Sequence, residues 1–182
     1  MNTYIGIDLG TSSVKLLLVA EDGRILNSAT KSYPIFYPES GWSEQNPEDW
    51  YTGVVEGMKE LLCGQDKSAV RGIGVGGQMH GLVLLDSAGK VIRPAILWND
   101  GRTQKQTDYL NETIGRAKLS EYTANIAFAG FTAPKILWVK ENEPQNFSRI
   151  DKIMLPKDYV AYRLSGVHCT DYSDAGGMLL LD

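Results

Sequence analysis

Short apolar runs separated by turn residues predict a group of β-strands in the first half of the chain. They are residues 4–9, 14–20, 24–33, 70–75, 82–85 and 91–97. Asp22–Gly23, between the second and third runs, is a hairpin signal because glycine adopts positive φ without a steric cost. Turns are also predicted in the polar stretch 43–47, at Gly76–Gly77 and at residues 87–90.

Helical spacing of apolar residues begins after this first group of strands and dominates the second half of the chain. Between residues 47 and 62 the apolar side chains recur at helical intervals, with Asn46 as the expected N-cap and Pro47 at the first helical position. Further helices are predicted at residues 101–114, 134–141 and 156–164. Strands followed by helices predict an α/β fold with a mixed sheet covered by helices.

Composition and charge fit an ordinary folded domain that binds a small molecule. The 182 residues are 43% hydrophobic and 22% charged, and the net charge of −4 contains no long run of one sign. This balance predicts no binding to nucleic acid or to an anionic membrane. Neither a signal-peptide pattern nor a membrane-length apolar run is present, and Cys63 and Cys169 form no zinc-type motif, so a cytoplasmic location is expected.

The first predicted hairpin carries side chains that suit a phosphate group. An acidic residue ends the first strand, a glycine and three hydroxyl residues form the turn, and a lysine lies on the second strand. They are Asp8, Gly10, Thr11, Ser12, Ser13 and Lys15. Such a hairpin can direct N–H groups and hydroxyls at a phosphate while the carboxylate holds Mg²⁺ through water. An ordinary hairpin with a polar turn fits the same residues.

A second glycine pattern, GIGVGG at residues 72–77, satisfies the G-x-G-x-x-G fingerprint of dinucleotide-binding folds. That fingerprint requires a helix that opens at the last glycine, whereas another strand-like run follows here. We therefore interpret the segment as a glycine-rich strand in a crowded sheet.

Two polar clusters at the ends of predicted strands suit a sugar. They are Gln78, Met79 and His80, and then Trp98, Asn99, Asp100 and Arg102. Amide, imidazole, carboxylate and guanidinium groups can bond hydroxyls while thioether and indole groups pack on the carbon skeleton. The simpler alternatives are a structural histidine in the first cluster, and a helix cap with a core tryptophan in the second.

Taken together, the motifs resemble the FGGY family of carbohydrate kinases over essentially the whole chain. GIDLGT at residues 6–11 is similar to the first phosphate motif of the actin, heat-shock-70 and sugar-kinase superfamily. GFTAPKILWVKEN at residues 130–142 matches the spaced FGGY signature, with Thr132, Lys135 and Trp138 at its marked positions. GQMHG at residues 77–81 resembles the xylulokinase group of that family, in which the Met-His pair contacts the ketose.

The resemblance implies an actin-like ATPase (ribonuclease H-like) domain, with ATP, Mg²⁺ and D-xylulose as its small molecules. It implies that Asp8 holds the metal through water, that Gly10 to Ser13 and Lys15 line the phosphate path, and that the two polar clusters bind the sugar. From the local pattern, we expect Trp138 to pack inside and Lys135 to face solvent without a catalytic role.

Residues 1–182 are expected to form most of an amino-terminal kinase domain. The catalytic aspartate, most of the adenosine pocket and a second domain are expected outside them, so the chain alone is expected to be inactive. The resemblance also allows a homodimer. Two alternatives stay open: another FGGY kinase that acts on L-ribulose, gluconate or glycerol, and a non-catalytic actin-superfamily ATPase or sugar-binding fragment.

Overall fold

The structure, a computed structural model that describes residues 1–181, has a four-stranded mixed sheet at its centre. The strands are β1 (Thr3–Leu9), β2 (Ser13–Ala20), β3 (Ile25–Ser32), β4 (Glu44–Gln45), β5 (Val70–Gly77), β6 (Val83–Leu85), β7 (Ala95–Ile96) and β8 (Lys152–Met154). The central order is β3-β2-β1-β5, with β1 antiparallel to β2 and parallel to β5. β4 pairs with β7 and β6 pairs with β8, so the predicted α/β class with a mixed sheet is confirmed.

Most of the helices lie in the second half of the chain, as predicted. They are α1 (Pro47–Leu61), α2 (Gln104–Asp108), α3 (Arg116–Thr123), α4 (Thr132–Asn142), α5 (Pro144–Phe147), α6 (Pro156–Ser165) and α7 (Tyr172–Gly176). A π-helical segment, Tyr109–Gly115, joins α2 to α3. None of the helices in residues 1–181 is both long enough and apolar enough to cross a bilayer.

The core lies between one face of the central sheet and α1. Ile5, Ile7 and Leu9 alternate with exposed residues along β1, so one face of the strand is buried and the other is open. The Asn46 side chain accepts a hydrogen bond from the second helical N–H and caps α1 as predicted. A Cβ at Gly57 of α1 would lie 2.5 Å from a methyl of Leu16, so glycine allows the close approach of helix and sheet.

The opposite face of β1 and β5 forms an open shelf. A Cβ added at Gly6, Gly74 or Gly76 would meet no atom of the described residues within 4 Å. The expectation of a crowded sheet is therefore wrong for these glycines and holds only at Gly77, whose Cβ would lie 2.6 Å from the carbonyl oxygen of Leu9. The missing side chains leave space above the sheet.

Four local predictions differ from the structure. Gly76–Gly77 belongs to β5 and forms no turn. The predicted strand 91–97 is reduced to Ala95–Ile96, since Pro94 has no N–H to donate to a ladder. The helix expected from residue 101 begins at Gln104. The Asp100 carboxylate accepts the N–H of Arg102 and so holds the residues just before the helix in a turn. The polar stretch 43–47 contains β4, which pairs with β7.

Candidate functional site

The hairpin between β1 and β2 is held in place by Tyr33. The Tyr33 hydroxyl donates to the carbonyl of Gly10, and its backbone N–H donates to the carbonyl of Ser12 at 3.3 Å. The Gly10 N–H donates to the carbonyl of Ser13 at 3.0 Å and closes the turn. Burial and the charge of Asp8 raise the pKa of Tyr33, so the phenol keeps its proton and stays a donor.

Two opposite charges from the predicted phosphate motif lie on the open shelf. Asp8 and Lys15 are cross-strand neighbours in the antiparallel register, and both side chains are exposed. They border a cavity of about 590 Å³ whose other lining residues are Gly6, Ile7, Leu17, Gly74, Val75 and Gly76. An open, glycine-floored cavity beside a cation fits the size and charge of a phosphate chain.

Asp8 supplies a single carboxylate at this place. Within residues 1–181 no group of three or more His, Cys, Asp or Glu side chains could hold a metal. One carboxylate fits the way Mg²⁺ is usually bound beside phosphates, with most of its ligands being water and phosphate oxygens.

Gln45 connects the hairpin to the core, a role that its position in a polar stretch did not reveal. Its Nε2 donates to the carbonyl oxygens of Thr11 at 2.7 Å and of Pro34 at 3.2 Å. Its Oε1 accepts from Nε1 of Trp50 and from Nε2 of Gln78, both at 3.1 Å. The amide therefore ties together segments that are far apart in sequence.

Gln78 is buried under the hairpin. Its N–H donates to the carbonyl oxygen of Leu9 at 2.7 Å, and its amide nitrogen bonds Gln45. Its Oε1 has no partner among the described residues, which leaves one buried acceptor next to the site. Direct contact between Gln78 and a sugar stays a prediction.

The segment Met79–His80–Gly81 forms a tight turn that presents two side chains. The Gly81 N–H donates to the carbonyl of Met79 at 2.7 Å, and His80 has φ 60°, the rare γ-turn form with positive φ. Met79 is 43% exposed, and the His80 ring packs on Phe131 with centroids 4.5 Å apart. Burial and, secondarily, the charge of Lys135 lower the pKa of His80.

Trp98 links the second polar cluster to the hairpin. Its indole Nε1 donates to Oγ1 of Thr11 at 3.1 Å, and the side chain is 43% exposed. The alternative of a core tryptophan is therefore wrong. Asn99 beside it is exposed as well. The hairpin, the His80 turn and the Trp98 segment are thus joined by the Trp98 and Gln45 hydrogen bonds.

Asp100 and Arg102 occupy a different position from the one predicted. Both side chains are fully buried, and the guanidinium of Arg102 makes two bonds to the Asp100 carboxylate, at 2.8 and 2.9 Å. The second oxygen of Asp100 also accepts the N–H of Ser43 at 2.6 Å. Neither side chain reaches the surface of the described residues, so the prediction that they contact a ligand is wrong in this geometry. They fix the start of α2.

The prediction that Lys135 faces solvent is also wrong. It is fully buried on the first turn of α4, and its Nζ donates to the carbonyl oxygens of His80 at 2.8 Å and of Gly130 at 2.6 Å. Trp138 on the same helix is packed inside, as expected.

Asp171 and Asp174 are held by one cation. Both carboxylates pair with Nζ of Lys157, at 2.6 and 3.4 Å. The Lys157 ammonium holds the pKa of Asp171 well below its usual range, so this carboxylate stays ionised and is a poor proton acceptor. This geometry agrees with giving neither aspartate the role of a base.

We expect Gly177→Ala to displace the His80 ring. A Cβ at residue 177 would lie 2.3 Å from Cε1 and 2.8 Å from Nδ1 of His80, so the imidazole must move out of its pocket. Because burial lowers the pKa of His80, a displaced ring should titrate closer to the ordinary value of about 6.5. The chain has only two histidines, so NMR can follow both in one pH titration.

The matched control is Gly176→Ala. A Cβ at residue 176 meets nothing within 4 Å, so the His80 titration should stay as in the wild type. An unchanged His80 titration in the Gly177 variant would mean that the ring does not depend on this contact.

Comparisons with known proteins agree with the motifs. The model of the N-terminal domain of the FGGY family of carbohydrate kinases matches residues 3–182. The xylulose kinase of Bacillus subtilis (strain 168) is 49% identical over 100% of this chain and 36% of that protein. The structure of a xyloylose kinase from Brucella ovis superposes with a TM-score of 0.94 at 42% identity, over 99% of this chain and 38% of that one.

A kinase with another sugar shares the fold. The structure of a gluconate kinase from Lactobacillus acidophilus has a TM-score of 0.88 at 25% identity, over 100% of this chain and 37% of that one. In each comparison the chain spans little more than a third of the relative's length. The family match nevertheless covers nearly every residue, and the chain therefore belongs to the FGGY family of carbohydrate kinases, within their N-terminal domain.

Proposed function

We propose that the protein containing this chain transfers the γ-phosphoryl group of ATP to D-xylulose and forms D-xylulose 5-phosphate. The observation that carries the proposal is the 3.1 Å hydrogen bond between Trp98 and Thr11, which joins the candidate sugar cluster to the candidate phosphate hairpin. Phosphoryl transfer depends on such positioning of acceptor and phosphate. The choice of D-xylulose rests on the GQMHG segment and on the similarity to xylulose kinases.

The hairpin and the shelf are the proposed nucleotide side of the site. Thr11 and Ser12 direct backbone and hydroxyl groups at the phosphates, and Gly10, Ser13 and Lys15 complete this side. Asp8 orients Mg²⁺ through water. When bound, the metal neutralises charge on the phosphate oxygens and aligns them for transfer.

The surface formed by Met79, His80, Trp98 and Asn99 is the proposed sugar side. Met79 and Trp98 offer exposed apolar area to the carbon skeleton, whereas His80 and Asn99 offer polar groups to hydroxyls. The buried pair Asp100 and Arg102 supports this surface by fixing the backbone next to Trp98 and Asn99.

We further propose that the catalytic base and most of the adenosine pocket belong to a second domain outside residues 1–182. The family resemblance supports this division, since it assigns the base to an aspartate beyond the matched motifs. Asp171 and Asp174 are committed to Lys157 and are poor candidates for it. Two exposed free cysteines, Cys63 and Cys169, fit the proposed cytoplasmic location.

An ADP-release assay with D-xylulose, L-ribulose, gluconate and glycerol tests the proposal. It is run on this chain and on the complete reading frame that contains it. We expect turnover only with the complete protein, and the highest kcat/KM with D-xylulose. A higher kcat/KM with another sugar would make that sugar the substrate in place of D-xylulose. Turnover by this chain alone would place the base within residues 1–182. ATP use that no sugar stimulates would favour a non-catalytic actin-superfamily ATPase.

A further inference from the structure

Lys135 is buried in a manner that requires an explanation. Lysine is almost never fully buried without a partner of opposite charge, yet Lys135 is 0% exposed and its hydrogen bonds within the described residues go to two backbone carbonyls. Removing an ammonium or amine from water costs free energy, and two carbonyl hydrogen bonds offset only part of that cost. A leucine would fill the same space at a lower cost in free energy, so the hydrogen-bond donors of Lys135 must account for the presence of a lysine here.

The first carbonyl belongs to the strained residue of the site. His80 adopts φ 60°, a strained conformation that persists only where surrounding contacts impose it. Its carbonyl oxygen accepts from Nζ of Lys135 at 2.8 Å and from Oγ1 of Thr132 at 3.2 Å. Both donors come from the first turn of α4, so this helix holds the turn that presents Met79.

The second carbonyl belongs to a segment packed against Trp98. Lys135 Nζ donates to the carbonyl of Gly130 at 2.6 Å, and a Cβ at Gly130 would lie 2.5 Å from the carbonyl oxygen of Trp98. The backbone at Gly130 therefore touches the backbone at Trp98 directly. One amine bonds both the turn at His80 and the segment that contacts Trp98.

We propose that Lys135 is a positioning residue of the sugar side: through the carbonyl oxygens of His80 and Gly130, its Nζ fixes the His80 turn relative to Trp98. This inference rests on the proposed sugar-kinase function for its catalytic consequence. Its structural part, the hold on the turn, is independent of the substrate.

The two acceptors match a neutral amine. Burial lowers the pKa of Lys135 to about 7; the charge of Asp100 opposes this shift and the charge of Arg102 adds to it. His80, whose imidazole has a lowered pKa of its own, faces Lys135 from the turn, and Asp174 lies near that imidazole from α7. A neutral amine keeps two N–H donors, one for each carbonyl. Loss of the proton therefore leaves the two bonds in place.

This protonation has a consequence for stability. Between pH 7 and about pH 10 the unfolded chain keeps a proton on residue 135 that the folded chain has lost, so unfolding takes up a proton and stability rises with pH. We expect the free energy of unfolding of this chain to gain from pH 7 to pH 9.5, and Lys135→Met to remove that gain. A gain of equal size in the variant would mean that Lys135 is charged when folded.

The main test compares Lys135→Met with Lys140→Met in the complete protein. Lys140 lies on the same helix but is exposed. Lys135→Met is expected to raise the KM for D-xylulose by about ten-fold or more and to leave the KM for ATP nearly unchanged, because only the sugar side loses its support. Lys140→Met should leave both constants at the wild-type values. A merely structural lysine would reduce the amount of folded enzyme without changing the ratio of the two KM values.

Hydrogen exchange of the Gly81 amide gives a readout that needs no activity. That N–H closes the γ-turn, so we expect its exchange to accelerate about ten-fold or more in Lys135→Met, beyond any change in global stability. Thr132→Val, which removes the other donor to the same carbonyl, should change exchange and KM in the same direction and covers the case in which Lys135→Met fails to fold.

Unchanged Gly81 exchange and unchanged KM for D-xylulose in the folded variants would overturn the inference. If instead the wild-type protein phosphorylates none of the four sugars, the proposed function fails. The exchange measurement then still decides whether Lys135 holds the turn.

Discussion

Asp8→Asn is expected to lower kcat for sugar phosphorylation by about 100-fold or more while the protein remains as stable as the wild type. Asp8 is exposed on the open shelf, so the folded state loses no buried contact when its charge is removed. In the proposed site the carboxylate orients Mg²⁺, and an amide binds and aligns the hydrated metal far less well. The measurement is ADP release by the complete protein at saturating D-xylulose, with a thermal unfolding curve for the same samples.

The matched control for Asp8→Asn is Glu21→Gln. Glu21 is an exposed carboxylate in the turn that follows β2, and its replacement removes one negative charge at the opposite end of β2 from the turn that follows Asp8. We expect wild-type kcat for this variant. If Asp8→Asn retained more than about a third of the wild-type kcat, the metal-orienting role of Asp8 would be wrong. Rescue of part of the lost rate by Mn²⁺ would support it.

Local patterns in the sequence were sufficient to predict the sheet and the hairpin. The alternation of buried and exposed residues along β1 and β2 has a period of two, and the Asp22–Gly23 turn fixes how the second hairpin closes. The N-cap at Asn46 is equally local, since its partner lies two residues away. Each of these features depends on residues that are neighbours in sequence.

The supports of the site could not be predicted in that way. Gln45 bonds Thr11 across 34 residues and Gln78 across 33, and Lys135 bonds His80 across 55. No periodic pattern records such pairs. A lysine at the start of a helix is usually exposed, so only the packed fold shows that this one is enclosed. The expectation of a crowded sheet fails at Gly6, Gly74 and Gly76 for the same reason, because crowding depends on elements that are distant in sequence.

A common arrangement emerges from these supports. The exposed candidates Ser12 and Met79 lie on short turns, and each turn is held from inside by a buried polar side chain that bonds its backbone. Buried polar groups of this kind cost free energy when unpaired, and when satisfied they favour one backbone geometry. We therefore expect the largest losses of stability from the buried supports and the largest losses of activity from the exposed side chains.

Arg102 is the support from which we expect the largest loss of stability. Its guanidinium bonds Asp100 twice, and Nη1 lies 2.7 Å from Oε1 of Glu44 in an ion pair that lacks hydrogen-bond geometry. It stacks on Trp42 with 3.7 Å between Cζ and the ring centroid, and lies 4.9 Å from that of Trp138. Arg102→Leu removes the cation and leaves the buried carboxylates of Asp100 and Glu44 with less neighbouring positive charge.

We expect Arg102→Leu to lower the free energy of unfolding of this chain by about 3 to 5 kcal/mol, the usual cost of breaking a buried ion pair from one side. In a chain of this size that corresponds to a fall in Tm of roughly 10 °C. Arg102→Lys keeps the charge but loses the two-pronged bond and the stacking, so it should be intermediate, and it remains measurable if the leucine variant does not fold. The measurement is thermal and urea unfolding followed by circular dichroism.

Arg24→Leu is the control for the buried position. Arg24 pairs with Asp22 at 2.8 Å, but both side chains are largely exposed, so solvent screens the pair and its loss should leave Tm nearly unchanged. Both variants replace an ion-paired arginine with leucine. The two sites differ in burial, in stacking and in the number of paired carboxylates, which is two for Arg102 and one for Arg24. If both lowered Tm equally, the stability of the site would come from charge balance alone. A fall in Tm for Arg102→Leu alone would show that an arginine buried between Trp42 and Trp138 stabilises the segment that carries Trp98.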